Sequence, residues 1–402
     1  MAGGGRCAAQ PPRGAGGAGC DWRARKPMTL TVAQIIPRLE SGGAEQAVLA
    51  VHRGLLQAGH RAIVVSSGGR MVEKILALGG DHVQLPVHGK NPLQLIKNAQ
   101  SLGRMIRQKN IHVLHARSRA PAHSALWAAR ACGLPLVTTV HAAYKGNENF
   151  LKKHYNGVMV AGQATIAISH YIAGYVRQHW PHVAPTIIPR GIDVTRFDGA
   201  AVGADRLKAV RALWRVDDDE KIIFFPARVS RIKGHEMVVR IARALQPWLK
   251  KNNATLMMAG DVQADHFAEE IKFLTAPLSH IRMVPHVADM PAAYAASQLV
   301  LVPSQVPEGF GRVPVEAAAM GVPVLASNLG ALPEVMPNTP CHTLVPHDDA
   351  AAWARAIQAM WEISQDEKAK AAAAARHFVT QHYDEHRMVA ETLKIYENLA
   401  KK

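Results

Sequence analysis

Short apolar runs alternate with longer amphipathic stretches along the 402-residue chain, and the spacing predicts strand and helix in turn. In the first half, residues 30–36, 62–66, 83–85, 113–115 and 136–140 read as strands. Residues 46–56, 93–108 and 120–132 read as helices, and 164–169 and 186–189 add two further strands. Such alternation implies a parallel sheet covered by helices on both faces, a doubly wound domain. The polar segment 193–219 reads as a crossing to a second domain of the same kind. Its strands are predicted at 221–225, 255–259, 281–284, 299–302 and 322–326, followed by an alanine-rich helical region over 348–377 and a last helix over 385–399. The fold class is therefore α/β, with two doubly wound, Rossmann-like domains. Open sheets of this type bind ligands at the carboxyl ends of their strands.

Charge changes this picture by separating the two halves. Residues 1–189 hold 22 Lys and Arg against 6 Asp and Glu, whereas residues 190–402 hold 25 of each. Without the first 27 residues the first half still carries +12. A surface of that sign attracts anionic lipid, an anionic acceptor or nucleic acid. Nucleic acid is disfavoured, because aromatic residues make up only 5% of the chain and no RNA- or DNA-binding signature accompanies the charge. The plainer alternative is that the basic half only keeps the protein soluble.

Residues 1–27 mix Gly, Ala, Pro and Arg without the apolar core of a secretory signal, and are expected to be a disordered extension. An over-early start codon and a basic membrane tether both account for them. Cys7, Cys20, Cys132 and Cys341 lack the spacing of a zinc ribbon or a disulfide framework, which fits a reducing cytoplasm.

Candidate chemistry sits in three loops, each following a predicted strand. The stretch Glu308-Gly309-Phe310-Gly311-Arg312-Val313-Pro314-Val315-Glu316 places two carboxylates eight residues apart across a glycine loop that opens a helix. Pro314 suits the first helical position, and the N–H groups of Gly309 to Gly311 suit a hydroxyl-rich or anionic ligand. A solvated glutamate pair near a helix start is the bland alternative. Arg228, Arg231 and Lys233 form a basic loop after residues 221–225, with cations able to converge on a diphosphate. Ser41-Gly42-Gly43-Ala44-Glu45 follows the first strand, with Glu45 placed to begin the first helix.

With these loops, Thr138-Thr139-Val140-His141 and Pro189-Arg190-Gly191-Ile192-Asp193, the chain resembles the retaining GT-B glycosyltransferases of family 4 from residue 28 onward. The resemblance implies an acceptor domain over 28–195 and a nucleotide-sugar domain over 196–384, facing each other across a cleft. It also implies that the final helix, 385–402, packs back on the first domain. It assigns ribose hydroxyls to Glu316, and the migrating hexose to Glu308 with Gly309, Phe310 and Gly311. The diphosphate falls to Arg228, Lys233 and the Gly42 and Gly43 amides, and His141 lies beside the transferred sugar. Arg117 and Arg119 are acceptor-side candidates.

The implied activity is hexosyl transfer from a GDP- or UDP-hexose to an anionic glycolipid or glycan at the inner membrane surface, such as lipopolysaccharide core. No cofactor and no metal is expected, and the resemblance implies front-face retention, in keeping with a first half that offers no carboxylate in a fitting motif. Asp217-Asp218-Asp219 matches a metal-binding DxD pattern and reads as a solvated acidic run, and His382 with His386 has no third ligand. A sugar-nucleotide epimerase or glucan synthase of the same fold is one alternative. A basic peripheral-membrane adaptor without turnover is the other, and Arg228, Lys233, Glu308 and Glu316 together speak against it.

Overall fold

The computed structural model describes residues 1, 29–40, 42–262, 265–285 and 287–401. The extension expected over 1–27 lies outside the described residues apart from Met1, as do Met28 and Ser41. Two parallel sheets organise the rest. The first contains β1 (Thr31–Ile35), β2 (Arg61–Ser66), β3 (Asp81–Gln84), β4 (Val113–Ala116), β5 (Leu136–Val140), β6 (Ala164–Ala167) and β7 (Thr186–Ile187), in the order β3-β2-β1-β4-β5-β6-β7. The second contains β8 (Lys221–Pro226), β9 (Ala254–Ala259), β10 (Ile281–Val284), β11 (Leu299–Val302), β12 (Val324–Ser327) and β13 (His342–Val345), in the order β10-β9-β8-β11-β12-β13. Central strands are buried on both faces, which is why β1, β5, β9 and β11 read as unbroken runs rather than alternating ones.

Four local expectations need correction. β13 escaped the pattern because it is a short edge strand with an exposed Thr343. The crossing segment 193–219 contains the helix Ala204–Trp214, whose polar composition hides the buried Val210 and Trp214; Trp214 packs on Phe224 with ring centroids 5.0 Å apart. The alanine-rich region is two helices, Ala350–Glu362 and Gln365–His382, because Ser364 and Glu367 form a capping box between them. The first helix, Gly43–Gln57, starts three residues before the predicted Gln46, which brings Glu45 into its first turn.

The final helix, Glu385–Ala400, contributes Met388, Leu393 and Tyr396 to an apolar cluster with Leu30, Val32, Val51 and Leu55 of the first domain. The chain therefore crosses between domains twice, and the two crossings lie side by side. Ile192 N–H donates to the Tyr383 carbonyl at 2.8 Å, and Glu385 N–H donates to the Ile192 carbonyl at 2.9 Å. Inside the first domain the helix is tied by a buried polar chain: His115 Nδ1 lies 2.6 Å from the Tyr396 hydroxyl, and His115 Nε2 lies 2.7 Å from Thr139 Oγ1.

All three side chains of that chain are buried, so removing one member strands its neighbour away from water. Tyr396→Phe is expected to lower stability by about 1–3 kcal/mol through the unsatisfied His115 nitrogen. Thermal unfolding of the variant checks this, with a lowered midpoint as the expected result.

Candidate functional site

The carboxyl ends of the two sheets face each other, and every candidate loop hangs from one of them. Gly42-Gly43 follows β1, Arg117 follows β4, His141 follows β5 and Arg190 follows β7. On the opposite face Arg228 and Lys233 follow β8, and Glu308 follows β11. The faces touch. The Ser169 hydroxyl donates to the Gly309 carbonyl at 2.8 Å, and a Cβ on Gly309 would lie 2.4 Å from the His141 carbonyl oxygen. Only a residue without a side chain fits there.

On the second-domain face the basic turn is pressed onto the acidic loop. Gly234 has φ +89°, and a Cβ there would sit 2.0 Å from the Pro303 carbonyl oxygen, so the turn Arg231–Lys233 closes tightly on the segment leading to Glu308. Lys233 Nζ reaches Glu308 Oε1 at 2.8 Å, and the Ser304 hydroxyl donates to the same oxygen. The other Glu308 oxygen accepts no hydrogen bond from the described residues. Arg228 is exposed, and its guanidinium makes no hydrogen bond or ion pair with them.

Glu316 is buried in the helix Arg312–Ala319 and held from two sides. Arg312 donates to its Oε1 through Nε at 3.0 Å and Nη2 at 2.7 Å, while the Tyr294 hydroxyl donates to its Oε2 at 2.9 Å. Burial, with the Glu316 carboxylate beside it, raises the Tyr294 hydroxyl well above the ordinary tyrosine value. Pro314 is the third helical residue rather than the first, a correction that costs nothing because N–H groups of the first turn have no intrahelical partner.

On the first-domain face, Arg190 is central. Its Nη2 lies 2.8 Å from His141 Nδ1, and a Cβ on Gly43 would meet Arg190 Nη1 at 2.6 Å and Arg312 Cδ at 2.8 Å. Gly43 thus lies directly against two arginines from opposite domains. Burial, then the charges of Arg312 and Arg117, lowers Arg190 to about 9, with Glu45 opposing the shift. Arg117 is turned inward, 5% exposed, and donates to Gln34 Oε1 at 2.6 Å. Arg119 is committed to Asn156 at 2.9 Å and lies 4.4 Å over the Tyr144 ring. Both guanidiniums are engaged by groups of the first domain.

Among the described residues no group of His, Cys, Asp and Glu could hold a metal ion. The run Asp217-Asp218-Asp219 precedes the central strand β8 and so lies at the amino end of the sheet, away from the cleft. Residues without an assigned role in the sequence reading are Arg190, Arg312, Tyr294 and Ser304. Arg312 carried a signal, since it stands four residues before Glu316 on one helix face. Tyr294 carried none, because its approach depends on the packing of a separate helix.

Residues 41–196 match the model described as Glycosyltransferase Family 4, and residues 220–362 match the one described as Glycosyl transferases group 1. D-inositol 3-phosphate glycosyltransferase of Salinispora arenicola is 29% identical over 221 residues, 52% of this chain and 48% of that protein. Its counterpart in Corynebacterium jeikeium is 31% identical over 179 residues, 42% of each. The chain spans about half the length of the curated relatives it matches. Among solved structures, a glycosyltransferase from Rickettsia africae superposes with a TM-score of 0.84 at 29% identity, covering 93% of this chain and 99% of that one. HepE of Anabaena, in complex with UDP and glucose, shares the fold with a TM-score of 0.79 at 19% identity, covering 92% and 100%.

Because Glu316 is the acceptor for the fully buried Tyr294 hydroxyl, Glu316→Ala is expected to cost about 1–3 kcal/mol of stability through the stranded Tyr294 group. Glu308→Ala should cost less, since Glu308 accepts two hydrogen bonds, from Lys233 and Ser304, where Glu316 accepts three. Thermal unfolding of both variants tests the ordering.

Proposed function

We propose that this chain, which belongs to the family 4, group 1 glycosyltransferases and has their GT-B fold, moves a hexosyl group from a nucleoside-diphosphate sugar to an anionic glycolipid or glycan. The observation that carries the reading is the convergence at one cleft of a hydroxyl-reading carboxylate, Glu308, with Lys233 and Arg228 on one face and Arg190, His141 and the Gly42-Gly43 loop on the other. Glu308 would accept from hexose hydroxyls and Glu316 from ribose. Arg228, Lys233 and the Gly42 and Gly43 amides would hold the diphosphate, with the backbone N–H groups of Gly309, Phe310 and Gly311 offered to the sugar.

In the proposed step, the bond from the anomeric carbon to the diphosphate oxygen breaks as the bond to the acceptor oxygen forms on the same face. The acceptor proton passes to the departing phosphate. Fixed cations stabilise the negative charge that develops on the diphosphate, the task for which preorganised groups in a dry cleft are most effective. This supports retention of configuration and metal-independent turnover. Incubation of the purified protein with a panel of UDP- and GDP-hexoses is expected to give slow hydrolysis of one donor that survives EDTA. Loss of turnover on chelation, with recovery on manganese, would show that the cation assignment is wrong.

An anionic acceptor at the inner face of a membrane, including lipopolysaccharide core, is supported by the charge of the first domain and by its exposed apolar groups. A groove of about 520 Å³ between the helices Pro92–Lys109 and Arg119–Cys132 is lined by Ile96 and Trp127 together with Arg104 and Arg107. Phe150 and Leu151 are exposed beside Lys152 and Lys153. No described helix is long and apolar enough to cross a membrane. Each basic side chain near an anionic surface contributes on the order of 1 kcal/mol, screened over about 8–10 Å at physiological salt. Sedimentation with phosphatidylglycerol vesicles is expected to show binding at low salt that falls steeply by moderate salt and persists when residues 1–27 are removed. Loss of binding on that removal would assign the contact to the extension instead.

A further inference from the structure

Three nitrogen atoms at the floor of the cleft are buried without a hydrogen-bond partner: Arg117 Nε, His141 Nε2 and Arg190 Nε. Their side chains, with Thr139, line one small cavity of about 10 Å³, room for roughly one water molecule. The contact that organises them is the one between Arg190 and His141. A guanidinium has only donors, so the 2.8 Å approach of Arg190 Nη2 to His141 Nδ1 makes Nδ1 the acceptor. An imidazole whose Nδ1 accepts carries its single proton on Nε2.

We propose that Arg190 is a positioning residue that fixes His141 as the Nε2–H tautomer, so that His141 meets the bound sugar only as a neutral hydrogen-bond donor and never as a base. The sugar as the recipient of that bond rests on the function proposed above; the tautomer does not.

The surroundings of His141 agree. The groups facing it are Arg190 from the segment after β7, and Arg117 and His115 from β4 and the residue following it. Burial together with these three neighbours holds the ring well below its ordinary proton affinity. Glu45 and Arg312 act on Arg190 rather than on the histidine. The Glu308 loop meets His141 through the Gly309 backbone at the histidine carbonyl. No carboxylate therefore draws a second proton onto the ring, and the Arg190 donor excludes one from Nδ1. What remains is a buried N–H at Nε2 awaiting an acceptor oxygen.

Chemistry favours this state. A base at that place would remove a sugar hydroxyl proton, and an imidazolium would repel the positive charge that grows on the anomeric carbon. A neutral donor does neither. Arginine suits the task because its planar fork reaches in two directions at once, with Nη1 lying against Gly43 and Nη2 at His141.

The test uses the full chain labelled with ¹⁵N-histidine, with the His141 signal assigned from a His141→Gln spectrum. The expected result is a protonated Nε2 and a bare Nδ1 from pH 5 to 8 in the absence of substrate, a signature that packing alone does not set. Arg190→Met should release the ring into a mixture of tautomers that titrates within this range, while Arg190→Lys, which keeps a cationic donor, restores the signature at least in part. Donor turnover in Arg190→Met should fall roughly tenfold to a hundredfold, the effect of losing a hydrogen bond to a charged group, with the donor KM moving far less. A proton found on Nδ1 in the native protein, or a His141 that titrates near 6.5, overturns the proposal, as does a folded Arg190→Met variant with an unchanged tautomer. Should that variant fail to fold, the native spectrum and Arg190→Lys still decide. A native protein that shows the Nε2–H signature yet hydrolyses no nucleotide sugar upholds the positioning role and removes the glycosyl-transfer reading.

Discussion

Direct backbone contact between Gly309 and His141 is the constraint on which the cleft depends. Two sheets that meet at their carboxyl ends could stand apart with water between them, but here the loop after β11 rests on the residue after β5. That contact brings the Lys233–Glu308 pair of one domain opposite the Arg190–His141 pair of the other. Its flank is reinforced by Ser169, whose oxygen accepts from the Ile172 N–H of its own helix at 3.1 Å while its hydroxyl donates to Gly309. Glu334 of the second domain also accepts from the His170 N–H at 2.7 Å and from the Tyr171 N–H at the start of that helix. A carboxylate at a helix N-terminus satisfies orphan donors and the helix dipole together, so this cap also works as a latch between domains.

The electrostatics of the cleft are uneven by construction. Glu316 is fully occupied by Arg312 and Tyr294, and Glu308 is half occupied by Lys233 and Ser304. Arg117 and Arg190 are buried against an amide, an imidazole and each other's field rather than against acids. Buried cations without paired carboxylates are costly, and an anionic ligand arriving in the cleft relieves that cost. The same shortage of acids in the first domain that made its sequence so basic is therefore expressed inside the domain as well as on its surface.

The fold was legible because parallel strands covered on both faces must be continuous apolar runs, and helices between them must be amphipathic; these two periods alternate along nearly the whole chain. Legibility failed where a residue's environment comes from somewhere else in the sequence. β13 gains its place from pairing with β12 at an edge, and the helix ending at Trp214 gains its apolar partner, Phe224, from the next strand. In the cleft, the loops carrying Glu308 and Lys233 announce themselves by glycine and charge. Arg190 does not, because its importance lies in touching a histidine 49 positions earlier. The inward turn of Arg117 was equally hidden, since it depends on Gln34 in a neighbouring strand.

The last helix has a consequence for the order in which the molecule comes into being. Its Met388, Leu393 and Tyr396 complete an apolar cluster whose other members, from Leu30 to Ile188, leave the ribosome long before them. Domains tend to fold as units as they emerge, yet this first domain must wait for the whole second domain to be synthesised before the face of its first helix is covered. Through that interval Ala47, Val51 and Leu55 lack the part of their cover that Met388, Leu393 and Tyr396 provide. The side-by-side crossing at Ile192 and Asp384 then acts as a seam that closes only after the second domain has been synthesised.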